Sequence, residues 1–122
     1  MVTLILVMAA CGGSSGLSEA KLAYKGGLDA SSQGLITEAI SHFDKAIQLE
    51  PDTAVYYRNR GVAHNKLGQY ETAIADYTKA IQLDPEYALA FYNRGVVLGI
   101  LGKDALAKEN FDKACELDKS HC

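Results

Sequence analysis

A repeat with a period of 34 residues constrains the fold of this chain more than any other feature of its sequence. Six columns of residues recur at this spacing and divide the chain into three units, 20–53, 54–87 and 88–121. The columns are Gly27, Gly61 and Gly95; Gly34, Gly68 and Gly102; Ala39, Ala73 and Ala107; Ala46, Ala80 and Ala114; Leu49, Leu83 and Leu117; and the aromatic series Phe43, Tyr77 and Phe111. A fixed period of this length indicates an array of units that pack against their neighbours.

Each unit is predicted to form a pair of helices. In the middle unit, steps of three or four, the helical period, separate Tyr57, Gly61 and His64, and likewise Tyr70, Ala73, Tyr77 and Ala80. Gly68 separates the two helices, and Asp84 and Pro85 are expected to end the second one, with the proline in the first turn of the next helix. The small residues let paired helices approach closely because they lack side-chain bulk. The fold class is therefore all-α.

On these residues the chain resembles the tetratricopeptide repeat family. The family pattern has a large residue and a glycine in the first helix, then alanine, aromatic, alanine and proline in the second. Unit two meets it with Tyr57, Gly61, Ala73, Tyr77, Ala80 and Pro85, and unit three with Phe91, Gly95, Ala107, Phe111 and Ala114. The resemblance implies a right-handed α-solenoid of three helix-turn-helix units.

The first and third units depart from the pattern. In unit one, the pair Gly26 and Gly27 predicts a loosely formed first helix, so Gly27→Ala should be mild or even stabilising. In unit three, Lys119 stands where the family has proline, and no capping helix follows. Because a solenoid normally ends in a polar cap, the C-terminal face is expected to be partly open. It would then belong to a longer array, contact a partner or a second copy, or be closed by a local brace.

A disulfide between Cys115 and Cys122 is the candidate brace. Seven residues of continuous helix would hold the two residues about 10 Å apart, which is too far for a disulfide. The preceding units end their second helix near the position of Asp118, however, and this lets the tail curl back. Disulfides form in exported proteins and are rare in cytosolic ones, so this pairing would accompany export.

Residues 1–19 differ in composition from the repeats. The apolar run from Val2 to Ala10 has the length of a signal-peptide core, so residues 1–10 are interpreted as an export signal and residues 11–19 as a Gly/Ser-rich tether. Ala9, Ala10 and Cys11 resemble the lipobox of bacterial lipoproteins, which implies a lipid on Cys11. Met8 departs from that pattern, and the lack of an early Lys or Arg leaves open a start further upstream. The alternative is a cytosolic protein in which Cys11 is an ordinary thiol.

Charge and hydropathy exclude several classes of function. The chain has 12 Lys and Arg against 15 Asp and Glu, and its net charge of −3 offers no basic excess for nucleic acid. No apolar run approaches the roughly 20 residues of a membrane-spanning helix. Contact with a membrane is therefore expected only through the lipid on Cys11.

The titratable residues do not form a recognisable catalytic centre. His42 is predicted to face solvent and His64 to pack in the core. Asp76 is predicted to lie on a helix surface, with no second carboxylate at the spacing of a catalytic pair. A structural zinc site needs four ligands, whereas the C-terminal end offers only Cys115, His121 and Cys122. We therefore predict no catalytic residues, no metal and no cofactor.

The resemblance places a binding groove on the first helices of the three units. The implied groove residues are Tyr24, Lys25 and Leu28 in unit one, Arg58, Asn59, Val62, Asn65 and Lys66 in unit two, and Leu89, Tyr92, Asn93, Val96 and Ile100 in unit three. Leu28, Val62 and Val96 would form an apolar floor. Asn59 and Asn93 would exchange hydrogen bonds with a peptide backbone. Chaperone-binding members of the family use Lys and Asn where this chain has Tyr24 and Leu28, so their carboxylate clamp is not expected.

These observations predict a non-enzymatic module that binds a protein or peptide segment. The preferred setting is a lipid-anchored protein of the cell envelope that faces the periplasm. A cytosolic scaffold or regulatory subunit is the alternative, and an envelope enzyme subunit is the third class. Acylation of Cys11 would distinguish the first two settings.

Overall fold

The computed structural model describes residues 16–122, which fold into six α-helices and a short 3-10 helix. The helices are α1 (Glu19–Ser32), α2 (Ile36–Leu49), α3 (Ala54–Lys66), α4 (Tyr70–Leu83), α5 (Ala88–Ile100) and α6 (Asp104–Leu117), followed by the 3-10 helix Lys119–His121. Each helix packs against its neighbours in the chain, two helices to a repeat. This arrangement confirms the predicted all-α solenoid. The proposed signal peptide, Cys11 and the first part of the tether lie outside the described residues.

The helix-to-helix turn within each repeat depends on glycine. Gly34, Gly68 and Gly102 have φ angles of 78°, 75° and 77°, a left-handed conformation that costs a residue with a side chain about 1–2 kcal/mol. The amide of the residue after each of these glycines returns to a carbonyl near the end of the first helix, as Gln69 does to His64 at 2.9 Å. The repeated glycine therefore sets the same tight reversal three times.

No helix in residues 16–122 has the length and apolarity needed to cross a membrane.

Close packing of the two helices in each repeat explains the remaining glycine column. A Cβ added at Gly61 would lie 2.7 Å from the ring of Tyr77, and one added at Gly95 would lie 2.8 Å from the ring of Phe111. Both distances are shorter than van der Waals contact, so only glycine admits these rings. Tyr77 is 1% exposed as a result.

The first helix is continuous, and the prediction of a loosely formed helix at Gly26 and Gly27 is wrong. Helix α1 runs through both glycines because tertiary packing supports them. A Cβ on Gly27 would overlap the ring of Phe43, which is 1% exposed, and the ring of His42 covers Gly26. His42 is thus half-buried rather than fully solvent-facing. The same overlap argues against the expectation that Gly27→Ala is mild or even stabilising.

The connections between repeats differ from the prediction in the place of the proline. Helix α4 ends at Leu83 and α5 begins at Ala88, so Pro85 lies in the connecting turn and not in the first turn of α5. The carboxylate of Asp84 accepts a hydrogen bond at 3.1 Å from the amide of Glu86, which forms the turn before the helix starts. Proline therefore acts here as a helix stop.

The C-terminal tail folds back over the last repeat. Cys115 and Cys122 are joined by a disulfide, with their Cα atoms 4.6 Å apart. The ring of His121 stacks on Tyr92 with ring centres 5.4 Å apart. Cys115 occupies the register position of Ile47 in unit one, which packs against the following repeat. The tail thus covers part of the face that was expected to be open, as the proposed brace would do.

Candidate binding surface

The predicted groove residues lie on α1, α3 and α5, the first helices of the three repeats. We call this set of residues, from Tyr24 in unit one to Ile100 in unit three, the first-helix surface. The most exposed are Lys25, Leu28, Lys66, Tyr92 and Ile100, and the others are half-buried. The structure therefore gathers the predicted residues on one helix layer but does not expose them equally.

A chain of polar side chains connects the three helices. The Nδ2 atom of Asn59 donates to the hydroxyl of Tyr24 at 2.9 Å, and its Oδ1 accepts from Arg58 Nη2 at 3.3 Å. Arg58 Nη1 donates to Oδ1 of Asn93 at 3.1 Å, and its Nε donates to the hydroxyl of Tyr87 at 2.9 Å. Arg58 is thereby oriented by side chains from two repeats.

The two asparagines, which the sequence treats as equivalent, have different hydrogen bonds. Asn59 also donates to the Val55 carbonyl at 3.0 Å, so both amide hydrogens and its oxygen are used within the protein. Asn93 accepts from Arg58, but its Nδ2 has no hydrogen-bond partner among residues 16–122. Asn93 therefore keeps donors for a ligand, whereas Asn59 mainly positions Arg58.

The predicted apolar floor is only partly accessible. Leu28 is 40% exposed, whereas Val62 and Val96 are half-buried. Val62 packs against the core cluster that contains Tyr77. Further along, Tyr92 and Ile100 are 38% and 52% exposed, which moves the accessible apolar area toward the third repeat.

Positive charge on this surface comes from Lys25, Arg58 and Lys66, and side-chain hydrogen bonds hold Arg58 in place. Its guanidinium lies 5.9 Å from the ring centre of Tyr87, a favourable cation–π arrangement. Burial raises the pKa of Tyr24, although the nearby Arg58 opposes that rise. Lys25 pairs with Asp29 at 3.3 Å, and both side chains are well exposed, so this pair contributes little stability. An acidic group on a ligand would meet Arg58 as the best-positioned cation.

A polar pair behind this surface was missed by the sequence interpretation. Asp76 is 5% exposed and accepts two hydrogen bonds from Arg60, at 2.9 and 2.7 Å, so its prediction as a helix-surface residue is wrong. Arg60 also contacts Asp44 of the preceding repeat at 2.8 Å. The spacing of 16 residues between Arg60 and Asp76 could have predicted this pair, because it brings a first-helix position next to a second-helix position of the same repeat.

The other candidate chemical groups have structural partners. The Nδ1 atom of His64 is 2.6 Å from the side-chain oxygen of Gln69, and its Nε2 lies 3.8 Å from Asp76. Cys115 and Cys122 are bonded to each other, so they are not available as thiolate ligands. Within residues 16–122, no group of three or more His, Cys, Asp or Glu residues is placed to hold a metal ion.

Family models match most of the chain. A model described as TPR repeat matches residues 31–68 and 63–102, and one described as Tetratricopeptide repeat matches residues 88–121. These matches cover all three repeats, beginning within the first helix of unit one.

Solved structures with the same arrangement include peptide complexes. The first TPR of Spaghetti (RPAP3), bound to the HSP90 peptide SRMEEVD, is 28% identical with a TM-score of 0.81, over 83% of this chain and 80% of that one. The TPR2B domain of yeast Sti1, in a complex with pHsp70, is 29% identical with a TM-score of 0.80, over 83% and 81%. The TPR domain of Arabidopsis OM64 is 27% identical with a TM-score of 0.81, over 83% and 84%.

Proposed function

Because this chain belongs to the tetratricopeptide repeat family, we propose that its first-helix surface binds a segment of another protein and that it works as a non-enzymatic adaptor. The observation that carries this proposal is the side-chain network that holds Arg58 next to the free amide donors of Asn93. A preorganised cation and hydrogen-bond donor reduce the cost of ordering side chains on binding. Exposed Tyr92 and Ile100 supply adjoining apolar contact.

An acidic, extended or helical segment fits this surface best. Arg58 attracts a carboxylate, and Asn93 can donate to a peptide carbonyl at the same level of the stack. The Spaghetti (RPAP3) domain, which was solved with a peptide containing acidic residues, supports this class of ligand. Tyr24 and Leu28 differ from the family's chaperone clamp, so we propose an acidic partner other than a chaperone terminus.

The test starts with a photo-crosslinking residue at Tyr92 in cells that make the natural full-length protein. The captured partner is then purified, and its affinity is measured for wild type, for Arg58→Glu and for Asn93→Ala. We expect each variant to bind roughly ten-fold more weakly, because each loses a charge-assisted or backbone hydrogen bond. Lys79→Ala, an exposed change on α4, serves as the control.

A partner that binds both variants as tightly as wild type would rule out the first-helix surface. If affinity were then lost on changing Leu117, the C-terminal face would be the working surface instead. Sedimentation of the isolated protein would show whether that face associates with a second copy.

We further propose that the protein is exported and anchored in the cell envelope by a lipid on Cys11, facing the periplasm. The apolar run before Ala9, Ala10 and Cys11 supports this setting, as does the disulfide between Cys115 and Cys122, since cytosolic thiols are kept reduced. Expressed with a complete signal sequence, Cys11→Ser should move from the membrane to the soluble fraction. Membrane association that does not change in Cys11→Ser would exclude the anchor.

A further inference from the structure

Arg60 and Arg94 occupy the same position in repeats two and three but have different partners. Each arginine reaches from the first helix of its repeat to the gap between two second helices. Arg60 contacts two carboxylates, those of Asp76 and Asp44. Arg94 instead donates to Oδ1 of Asn110 at 2.8 Å and to the hydroxyl of Thr78 at 3.2 Å.

Around Arg94, both counter-ions are therefore replaced by neutral groups at matching positions. Asn110 stands 34 residues after Asp76, and Thr78 stands 34 residues after Asp44. Among residues 16–122, no carboxylate lies within ion-pair distance of Arg94, and its Nη2 has no acceptor. The cation remains, but its charge is not balanced.

The surroundings of Arg94 increase the effect of this imbalance. The guanidinium lies 5.5 Å from the ring centre of Phe91 and is half-buried. Burial lowers the pKa of Arg94, which shows the cost of holding the cation in a partly desolvated place. An anion at this site would be attracted more strongly than an anion beside an exposed arginine, because water and salt screen partly buried charges less.

A cleft of about 170 Å³ opens beside Arg94 and is lined also by Phe91, Glu109, Asn110 and Lys113. A site needs only about 10–15 Å³ of such space to hold one water, so the cleft has room for a small oxyanion. Lys113 adds a second cation, and its ion pair with Glu116 at 3.5 Å is well exposed. Glu109 opposes anion binding and forms no ion pair within the described residues.

We propose that this cleft, between α5 and α6, is an oxyanion site that takes a carboxylate or phosphate group. Arg94 is the principal ligand, because a guanidinium presents paired donors that match both groups, and Lys113 supplies a second charge. The site is separate from the first-helix surface, since none of its lining residues belongs to that surface.

The direct test is an NMR titration of the folded chain with inorganic phosphate and, separately, with acetate. Sodium chloride at the same ionic strength is the reference for general screening. We expect saturable shifts of the Arg94 Nε–H and the Asn110 side-chain amide that chloride does not reproduce. The anion with the higher affinity identifies whether phosphate or carboxylate is preferred.

Asn110→Asp is the most informative variant, because it supplies the carboxylate that Arg60 already has in repeat two. It should weaken anion binding roughly ten-fold or more while preserving the fold, since an internal carboxylate then competes for the guanidinium. Glu109→Gln should have the opposite effect and strengthen binding. Arg94→Gln should abolish it.

Repeat two provides a matched internal control. The Nε–H of Arg60 should not respond to either anion in wild type, because Asp76 and Asp44 neutralise it. The proposal is overturned if Asn110→Asp binds as tightly as wild type, if Arg60 responds as strongly as Arg94, or if chloride produces the same shifts. Far-UV circular dichroism of each variant verifies that the comparison is between folded proteins.

Discussion

At the residue scale, Gly27 shows how strongly one glycine can depend on its tertiary contact. Intrinsic propensity favours alanine over glycine inside a helix by about 1 kcal/mol. A Cβ at this position would overlap the ring of Phe43, which is held in the core and cannot move away freely. We expect the overlap with Phe43 to destabilise the alanine variant by more than the helix propensity of alanine stabilises it.

We therefore predict that Gly27→Ala lowers the free energy of unfolding by about 1–3 kcal/mol, the usual range for overpacking. Gly99→Ala is the matched control, since its Cβ would lie 3.9 Å from the Cβ of Ala107, an ordinary contact. That variant should be neutral or more stable. Urea denaturation of both variants measures the difference, and equal midpoints would show that the Phe43 ring adapts.

Tyr77 provides a second prediction at this scale, concerning alkaline pH. Burial raises its pKa to about 12, from an ordinary value near 10. A raised pKa in the folded state contributes stability that is complete below pH 10 and is lost as pH rises from 10 through 12. Two pH units correspond to about 2–3 kcal/mol.

Tyr77→Phe should reduce this alkaline loss by an amount of that order. The Tyr77 hydroxyl has no hydrogen-bond partner in residues 16–122, so the variant removes the titration without removing a bond. Denaturant unfolding of both proteins between pH 9 and 12 provides the measurement. Identical slopes of stability against pH would mean that the phenol ionises as easily in the folded protein as in the unfolded chain.

At the scale of elements, the last repeat depends on its tail. The tail lies where the following repeat would continue, with the disulfide of Cys115 and Cys122 and the stack of His121 on Tyr92 holding it there. Because each repeat in a solenoid is stabilised mainly by its neighbours, a terminal repeat without such a cover opens first.

Reduction of this disulfide should therefore loosen α6 and the 3-10 helix before the rest of the fold. In the chain-entropy model, a disulfide that closes a loop of this length adds about 2–3 kcal/mol to the free energy of unfolding. Native-state hydrogen exchange, with and without reductant, should show lost protection in α6 and preserved protection in α3 and α4. Cys122→Ser should behave as the reduced protein does, and uniform exchange in both states would contradict the bracing role.

At the scale of the whole molecule, charge is distributed unevenly. The chain has a net charge of −3, yet the first-helix surface presents Arg58 as an oriented cation. A local positive site on an acidic protein favours acidic partners through orientation of the encounter more than through total charge.

Arg58→Glu should accordingly act mainly on the association rate with an acidic partner. We expect the rate constant to fall most at low salt, and the difference from wild type to shrink as salt rises, because exposed charges are screened over about 8 Å at physiological ionic strength. Stopped-flow measurements across a salt series test this with the purified partner that photo-crosslinking identifies. A loss that is confined to the dissociation rate would instead indicate a structural role for Arg58 in the network.

The sequence alone determined the repeat, the helix pairs and the turns, because these follow from short-range rules. Gly34, Gly68 and Gly102 stand where the chain must adopt positive φ, and the recurring alanines mark the helix faces that pack. Such signals act over three or four residues or repeat at a constant period, so they can be interpreted without coordinates. The candidate surface was placed on the first helices by the resemblance to the tetratricopeptide repeat family.

Only the tertiary structure decided which side chains meet and what donors they keep. Asp76 is buried because Arg60 reaches it from another helix, and Asn59 differs from Asn93 because only Asn59 lies beside Tyr24. These contacts join residues 16 and 35 positions apart, and their geometry depends on how the helices pack. The same holds for Arg94, which occupies the position of Arg60 in the next repeat but has Asn110 and Thr78 as partners instead of two carboxylates. A repeat specifies equivalent backbone positions, whereas charge balance and hydrogen bonding depend on side chains from several repeats at once.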